Sequence, residues 1–222
     1  MLRVFIGYDK RESVAYHVCA HSILSRASGP VAIIPINKDN IPQFDRGQED
    51  GSTDFSFSRF LVPYLSGYEG QSVFMDCDVL VLTDIYEILQ ECQFNNDVHV
   101  VKHDYTPKHQ VKFLGNKQHI YPKKNWSSVM VFNNYTNPCK KLTPDVVNNE
   151  SGKYLHQFEW TGECRVGELS KDWNHLVGEY DPNPNAKLVH FTLGTPCFEG
   201  YENQEYAEEW FKEKEAMLHA NK

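Results

Sequence analysis

Residues 71–82 read QSVFMDCDVLVL, and this stretch carries the strongest indication of the fold. Two short apolar runs surround the triplet Asp76, Cys77 and Asp78. The first run, Gln71–Met75, leads directly into a polar triplet, which is typical of a buried strand that ends at the edge of a sheet. Side chains two apart on an extended chain point the same way, so Asp76 and Asp78 are predicted to face one side together.

Two carboxylates on one face repel each other, and a divalent cation is the simplest compensation. Hard oxygen ligands suit Mg²⁺ or Mn²⁺, which complete their shell with phosphate oxygens of the substrate and with water. An acidic pair in a polar turn is a common structural feature, but apolar residues flank Asp76 and Asp78 on both sides. Carboxylates embedded in apolar sequence are costly, which favours a functional role. The carboxyl ends of strands in open α/β sheets border the ligand crevice.

The sequence before this stretch predicts a strand, helix, strand unit at residues 2–8, 13–26 and 31–36. Gly29 and Pro30 supply the stop after the helix. Such units close by a right-handed crossover into a parallel sheet, so the N-terminal half is predicted to be a Rossmann-like α/β layer.

The remaining segments predict a polar loop at 37–54, of a length typical of a lid, and a helix at 55–65 that Pro63 distorts or ends. Asp84 and Glu87 offer a capping box for a helix. Later strands are predicted at 98–101, 129–132 and 187–191, and a closing amphipathic helix at 205–219.

Composition narrows the function classes. The chain has 222 residues, enough for one substantial core, and a formal net charge of -8, which disfavours a nucleic acid partner. No run approaches the roughly 20 apolar residues of a membrane-spanning helix, and no signal peptide is recognisable, so a cytoplasmic protein without stable membrane insertion is expected. The six cysteines form no Cys-x-x-Cys pair, which disfavours a zinc site. The oligomeric state is left open.

Three separated blocks carry a family resemblance. They are Ser58, Arg59 and Phe60 to Leu65; Val73 to Val79 around Asp76, Cys77 and Asp78; and His190, Phe191 and Thr192 with Gly194. In this order the blocks resemble family 8 glycosyltransferases, the group that contains glycogenin and bacterial lipopolysaccharide galactosyltransferases. The similarity runs from Phe5, Ile6, Gly7 and Tyr8 to Pro196.

The resemblance implies an α/β, GT-A fold with a mixed, mainly parallel central sheet. It implies a single domain over residues 1–222, with a nucleotide-binding half at 1–100 and an acceptor half at 101–222. Asp76, Asp78 and His190 are then the ligands of Mn²⁺, with Mg²⁺ as the second candidate, since imidazole is a softer ligand than carboxylate.

The same resemblance assigns further residues. Donor-binding residues are expected at Gly7, Tyr8, Asp9, Arg59, Asp76, Cys77 and Gly194. The acidic and amide segment that lines the reacting face in this family corresponds to residues 156–159, which makes Gln157 and Glu159 the catalytic candidates. Two departures stand out. Trp126, Ser127 and Ser128 replace an Asn, small residue, Gly run, and the family's Lys, Pro, Trp run has no matching Lys here, where Pro196 is followed by Cys197.

The predicted function is therefore metal-dependent transfer of a hexose from a nucleotide diphosphate sugar, with uridine as the expected nucleoside, to a glycan or small acceptor with retention of configuration. Two alternatives remain open. A strand ending in Asp-x-Asp is also the nucleophile and acid/base arrangement of haloacid-dehalogenase-type phosphatases. A catalytically silent nucleotide-sugar-binding protein is the other, because the Lys is missing and Trp126 replaces the usual Asn.

Overall fold

Nine strands lie in the part of the chain that the computed structural model describes, residues 1–46, 53–109 and 121–219. They are β1 (Leu2–Gly7), β2 (Val31–Ile36), β3 (Gln71–Met75), β4 (Val79–Val81), β5 (Val98–Val100), β6 (Val129–Asn133), β7 (Val166–Glu168), β8 (His175–Leu176) and β9 (Leu188–His190). Apolar side chains dominate most of them, and β1, β3 and β6 are almost wholly buried, as expected for strands that are covered on both faces.

Six strands form the central sheet in the order β2, β1, β3, β6, β5, β7. β1 pairs in parallel with both β2 and β3, and β5 pairs in parallel with β7. β6 runs antiparallel to β3 and β5. The expected α/β fold with a mixed, mainly parallel sheet is confirmed.

A second sheet of three strands has the order β4, β9, β8. β4 and β9 are antiparallel, and Val79 lies opposite His190. β8 and β9 are parallel, and Leu176 lies opposite His190. Because β4 begins immediately after Asp78, this pairing brings the imidazole of His190 to the same sheet end as the acidic triplet.

Six α-helices and several 3₁₀ turns lie between and after the strands in the described ranges. The α-helices are α1 (Ser13–Leu24), α2 (Val62–Leu65), α3 (Asn137–Lys140), α4 (Pro144–Asn149), α5 (Gly152–His156) and α6 (Ala207–Leu218). α1 contributes Cys19 and Ile23 to the large core around the central sheet, and Val18 to a smaller core that also contains Phe191 and Trp210. None of the helices in the described ranges has the length and apolar character that crossing a bilayer requires.

Most of the predicted elements are confirmed, and two details are wrong. The helix predicted at 55–65 is a 3₁₀ helix at Ser58–Leu61 followed by α2, and Pro63 lies in the first turn of α2, where its missing N–H costs nothing. Asp84 caps its helix by accepting from Tyr86 N at 3.0 Å, but Glu87 bonds Thr83 instead of closing a capping box. Of the predicted lid loop, residues 47–52 lie outside the described residues.

Candidate functional site

Asp76 and Asp78 lie where β3 leaves the central sheet. The backbone N–H of Asp76 donates to Ser128 O at 2.9 Å, and Asp78 O accepts from Phe191 N at 2.9 Å. These bonds fix the triplet between the two sheets. The Asp76 and Asp78 side chains keep 15% and 12% of their surface exposed, so both carboxylates remain accessible at the rim of the core.

His190 completes a group of three residues with the chemistry of a metal site. One ligand atom from each of Asp76, Asp78 and His190 lies within 4.8 Å of the others. His190 Nε2 lies 3.3 Å from Asp78 Oδ1. Two carboxylates and one imidazole are metal-ligating groups, so these residues can hold a divalent cation. The family resemblance predicts these three residues as metal ligands, and the structure brings their side chains together.

Arg59 contacts the same cluster from the Ser58–Leu61 helix. Its Nη1 atom lies 2.8 Å from Asp76 Oδ1 and donates to Ser127 O at 2.9 Å. The guanidinium carbon lies 5.3 and 5.1 Å from the ring centroids of Phe55 and Phe74. Two aromatic rings and one carboxylate hold the orientation of this cation, which places positive charge beside Asp76, Asp78 and His190.

Glu12 is a buried carboxyl that the sequence did not single out. Burial and the negative charges of Asp78, Asp9 and Asp76 raise the pKa of Glu12 to about 9. The side chain therefore carries a proton near neutral pH. Within the described residues Glu12 Oε1 has no hydrogen-bond partner, while Oε2 lies 3.9 Å from Cys77 Sγ. Its position in the first turn after β1 resembles that of an ordinary helix-start acid, so no sequence pattern distinguishes it.

The three expected donor residues at the end of β1 have different surroundings. A Cβ at Gly7 would lie 2.4 Å from Phe55 Cδ2, so this glycine allows the Phe55 ring to pack on the strand. Tyr8 is half-buried, and its ring lies edge-on to Tyr16 at 5.3 Å. The Asp9 carboxylate accepts from the backbone N–H groups of Arg11 at 2.9 Å and Asp54 at 3.2 Å. Burial alone would raise the pKa of Asp9, but the Arg11 guanidinium and these two backbone bonds outweigh it, so the pKa is lowered.

Cys77 and Gly194 are two further residues that were expected to bind the donor. Cys77 is fully buried, and this burial raises the pKa of its thiol. Gly194 has a φ of 150°, a value that favours glycine. Its carbonyl accepts from Gln204 Nε2 at 2.8 Å, which ties the loop after β9 to the segment before α6.

The two catalytic candidates follow α5. The Gln157 carbonyl accepts from Lys123 Nζ at 2.9 Å. Glu159 is exposed and pairs with Lys153 at 3.0 Å. Between them, Phe158 has a φ of 60°, an unusual backbone conformation for a bulky residue that costs of order 1–3 kcal/mol. The buried Phe158 ring packs 6.4 Å from Trp126 and anchors this turn.

Protein CDI of Arabidopsis thaliana is 43% identical to this chain over 230 residues, which cover 99% of the chain and 88% of protein CDI. The chain belongs to the family of protein CDI. No protein-family model matches it.

Solved glycosyltransferases share the fold of this CDI family member. GlyE of Streptococcus pneumoniae TIGR4 superposes with a TM-score of 0.65 at 15% identity, covering 99% of the chain. The galactosyltransferase LgtC, in complex with donor and acceptor sugar analogs, gives 0.58 at 10% identity, covering 96% of the chain and 95% of LgtC. Mouse xyloside xylosyltransferase 1 gives 0.55 at 14% identity, covering 89% and 99%. The chain spans 62% of the length of GlyE. The fold is therefore that of GT-A glycosyltransferases.

The structure of this CDI family member thus combines a GT-A fold with a rim of two carboxylates, an imidazole and a guanidinium. Such a rim can bind a cation and, through it, a diphosphate. Three residues that the sequence analysis did not assign to the site lie next to it. Glu12 contacts Cys77 of the acidic triplet, Asn174 bonds His190, and Ser128 bonds Asn174.

Proposed function

We propose that the chain is a metal-dependent glycosyltransferase that moves a hexose from a nucleotide diphosphate sugar, with uridine as the nucleoside, to a glycan or small acceptor. The observation that carries the proposal is the Asp76, Asp78 and His190 cluster, whose ligand atoms lie within 4.8 Å of one another. The GT-A fold supports it, because the neighbours of the same fold include LgtC with donor and acceptor sugar analogs. Mn²⁺ is the proposed ion, since the cluster mixes imidazole with carboxylates.

The proposed donor lies with its diphosphate against the metal cluster and Arg59. A bound Mn²⁺ supplies positive charge to the departing nucleoside diphosphate. Arg59 adds a second positive charge, because its guanidinium is held 2.8 Å from Asp76 Oδ1 and cannot turn away. The nucleoside is proposed to lie beside Gly7, Tyr8 and Asp9 at the end of β1, with residues 1–100 forming most of the nucleotide side and 101–222 the acceptor side.

Gln157 and Glu159 are proposed for the reacting face, where transfer proceeds with retention. Support for Gln157 comes from LgtC, one of whose structures is that of an active-site mutant in which a glutamine is replaced by glutamate. The left-handed turn at Phe158 gives Gln157 a defined position. Glu159 pairs with Lys153 at the surface, so its role requires that pair to open. Gln157→Ala is therefore expected to reduce transfer at least about 100-fold, and Glu159→Gln less.

A donor panel tests the proposed function. Uridine diphosphate glucose, galactose, xylose and N-acetylglucosamine, and guanosine diphosphate mannose as a control, are added to the protein with Mn²⁺ or with a chelator. Binding to the native state raises the melting temperature by mass action. A uridine donor is expected to raise the melting temperature only with Mn²⁺, and to release uridine diphosphate when an acceptor is supplied.

Asp78→Asn removes the charge at nearly constant shape and is expected to abolish both effects. Asp145→Asn, at an exposed position on α4, is the matched control and is expected to behave like the wild type. An unchanged Mn²⁺ response in Asp78→Asn would contradict the proposal.

The same panel separates the alternatives. A phosphatase would hydrolyse a phosphomonoester such as p-nitrophenyl phosphate with Mg²⁺ and ignore nucleotide sugars. The position of β3 disfavours it, because this strand follows a complete strand, helix, strand unit and lies between a parallel and an antiparallel neighbour. A silent binding protein would give the Mn²⁺-dependent rise in melting temperature without release of uridine diphosphate.

A further inference from the structure

His190 rests on a short chain of buried hydrogen bonds behind the metal cluster. His190 Nδ1 lies 3.0 Å from Asn174 Oδ1, and Asn174 Nδ2 lies 2.8 Å from Ser128 Oγ. Ser128 Oγ in turn lies 2.7 Å from Asn125 O. His190 and Ser128 are each 2% exposed and Asn174 is fully buried, so water does not compete for these bonds.

The bond from Ser128 to the Asn125 carbonyl determines which group donates in each of the other bonds. A backbone carbonyl only accepts, so the Ser128 hydroxyl donates its single hydrogen to Asn125 O. Ser128 Oγ must then accept from Asn174, which places the Asn174 amide nitrogen toward Ser128 and its oxygen toward His190. Asn174 Oδ1 is an acceptor, so His190 Nδ1 carries a hydrogen.

The hydrogen bond to Asn174 Oδ1 therefore fixes the tautomer of His190. In the neutral ring a hydrogen on Nδ1 leaves a lone pair on Nε2, and Nε2 is the atom that lies 3.3 Å from Asp78 Oδ1. A lone pair facing a carboxylate oxygen is unfavourable unless a cation lies between them. The arrangement thus presents Nε2 to the position that a divalent metal would take.

We propose that Asn174, oriented by Ser128, is a positioning residue that fixes His190 in its Nδ1–H form and aims Nε2 at the metal. The inference rests on the metal site of the proposed function. The fold supplies the placement, since Asn174 ends a 3₁₀ helix directly before β8, and β8 pairs with the strand that carries His190. Partners of this kind raise metal affinity by about 10- to 100-fold in other sites.

Manganese titration followed by electron paramagnetic resonance tests the inference in the full chain. Asn174→Ala is expected to weaken Mn²⁺ binding about 10- to 100-fold, and Ser128→Ala less. Asn174→Asp still accepts from Nδ1 and is expected to bind within a few-fold of the wild type. Asn133→Ala is the control, because Asn133 is also a fully buried, hydrogen-bonded asparagine but lies at the end of β6 and bonds Gln71. It is expected to lower stability without changing Mn²⁺ affinity.

Nuclear magnetic resonance of ring nitrogens in the metal-free protein gives a second readout that needs no folded variant. The wild type is expected to show His190 with a protonated Nδ1, the nitrogen that faces Asn174 Oδ1. An Nδ1 without hydrogen, or a folded Asn174→Ala variant with wild-type Mn²⁺ affinity, would overturn the inference while leaving the metal site intact. Mn²⁺ binding that is unchanged in Asp78→Asn would instead overturn the metal site itself.

Discussion

Arg59 and Asp76 form an ion pair at the rim of the core, with Nη1 of Arg59 2.8 Å from Oδ1 of Asp76. The Arg59 side chain is only 7% exposed. Its guanidinium is therefore largely removed from water and is compensated mainly by this carboxylate and by carbonyl oxygens. In the absence of metal, Arg59 offsets the charge that Asp76 and Asp78 concentrate at one sheet end.

Replacing Arg59 by Met is expected to lower the free energy of unfolding by about 3 kcal/mol, because it leaves a poorly solvated carboxylate without its counter-charge. Part of this loss should return when Mn²⁺ is added, since the ion supplies the missing charge. Urea unfolding with Mn²⁺ and with chelator measures both quantities. Arg165→Met is the control: Arg165 also pairs with a buried aspartate, Asp97, at 2.7 Å, but Asp97 is not one of the metal-site residues, so no Mn²⁺ recovery is expected. Equal recovery in the two variants would refute the account of Arg59.

The raised pKa of Glu12 predicts that the stability of the fold depends on pH. Its pKa is raised from 4.5 to about 9, so the folded state holds a proton that the unfolded state releases above pH 4.5. The contribution of Glu12 is fully present below pH 4.5 and is lost as the pH rises toward 9. Glu12→Gln keeps the shape and removes the titration. Between about pH 5 and pH 8 in chelator, the wild type is expected to lose roughly 4 kcal/mol more stability than the variant. Parallel pH profiles in urea unfolding would contradict this assignment.

A substitution at Gly7 is expected to create a packing defect that a second substitution, at Phe55, repairs. A Cβ at this position would lie 2.4 Å from Phe55 Cδ2, so Gly7→Ala is expected to destabilise the fold by about 2 kcal/mol. Adding Phe55→Leu should recover much of that loss, and a double-mutant cycle in urea measures the coupling. Additive effects would show that the Phe55 ring is not what confines Gly7. The donor affinity of the double variant then reports on Gly7 as a donor contact, independently of its packing.

The sequence predicts the fold where local pattern and buried position agree. β1, α1, β2 and β3 follow from apolar runs separated by Gly, Pro and polar residues, and their parallel pairing follows from the crossover rule. In the second half, β7 and β8 were not predicted from the sequence, because they are only three and two residues long. Strands this short acquire their structure from the partners they pair with, not from their own sequence. Pro63 was misjudged for a related reason, since the same residue can end one helix or begin another.

In the candidate site, too, some residues could be predicted from the sequence and others could not. Asp76, Asp78 and His190 were placed together from sequence through the family resemblance, and Arg59 joins them in the structure. The role of Asn174 could be argued only from hydrogen-bond directions, and that of Glu12 only from burial beside other carboxylates. Neither leaves a pattern along the chain, because both arise from contacts between residues that are distant in sequence.

Calorimetric titration of uridine diphosphate into the wild type and Asp78→Asn, each with Mn²⁺ and with chelator, tests the central claim most directly. We expect the wild type to bind about 100-fold more tightly with Mn²⁺, a difference of roughly 2.7 kcal/mol, and the variant to bind equally weakly in both conditions. Equal affinity of the wild type with and without Mn²⁺, or an undiminished Mn²⁺ effect in Asp78→Asn, would contradict the claim that these carboxylates hold the ion that binds the diphosphate.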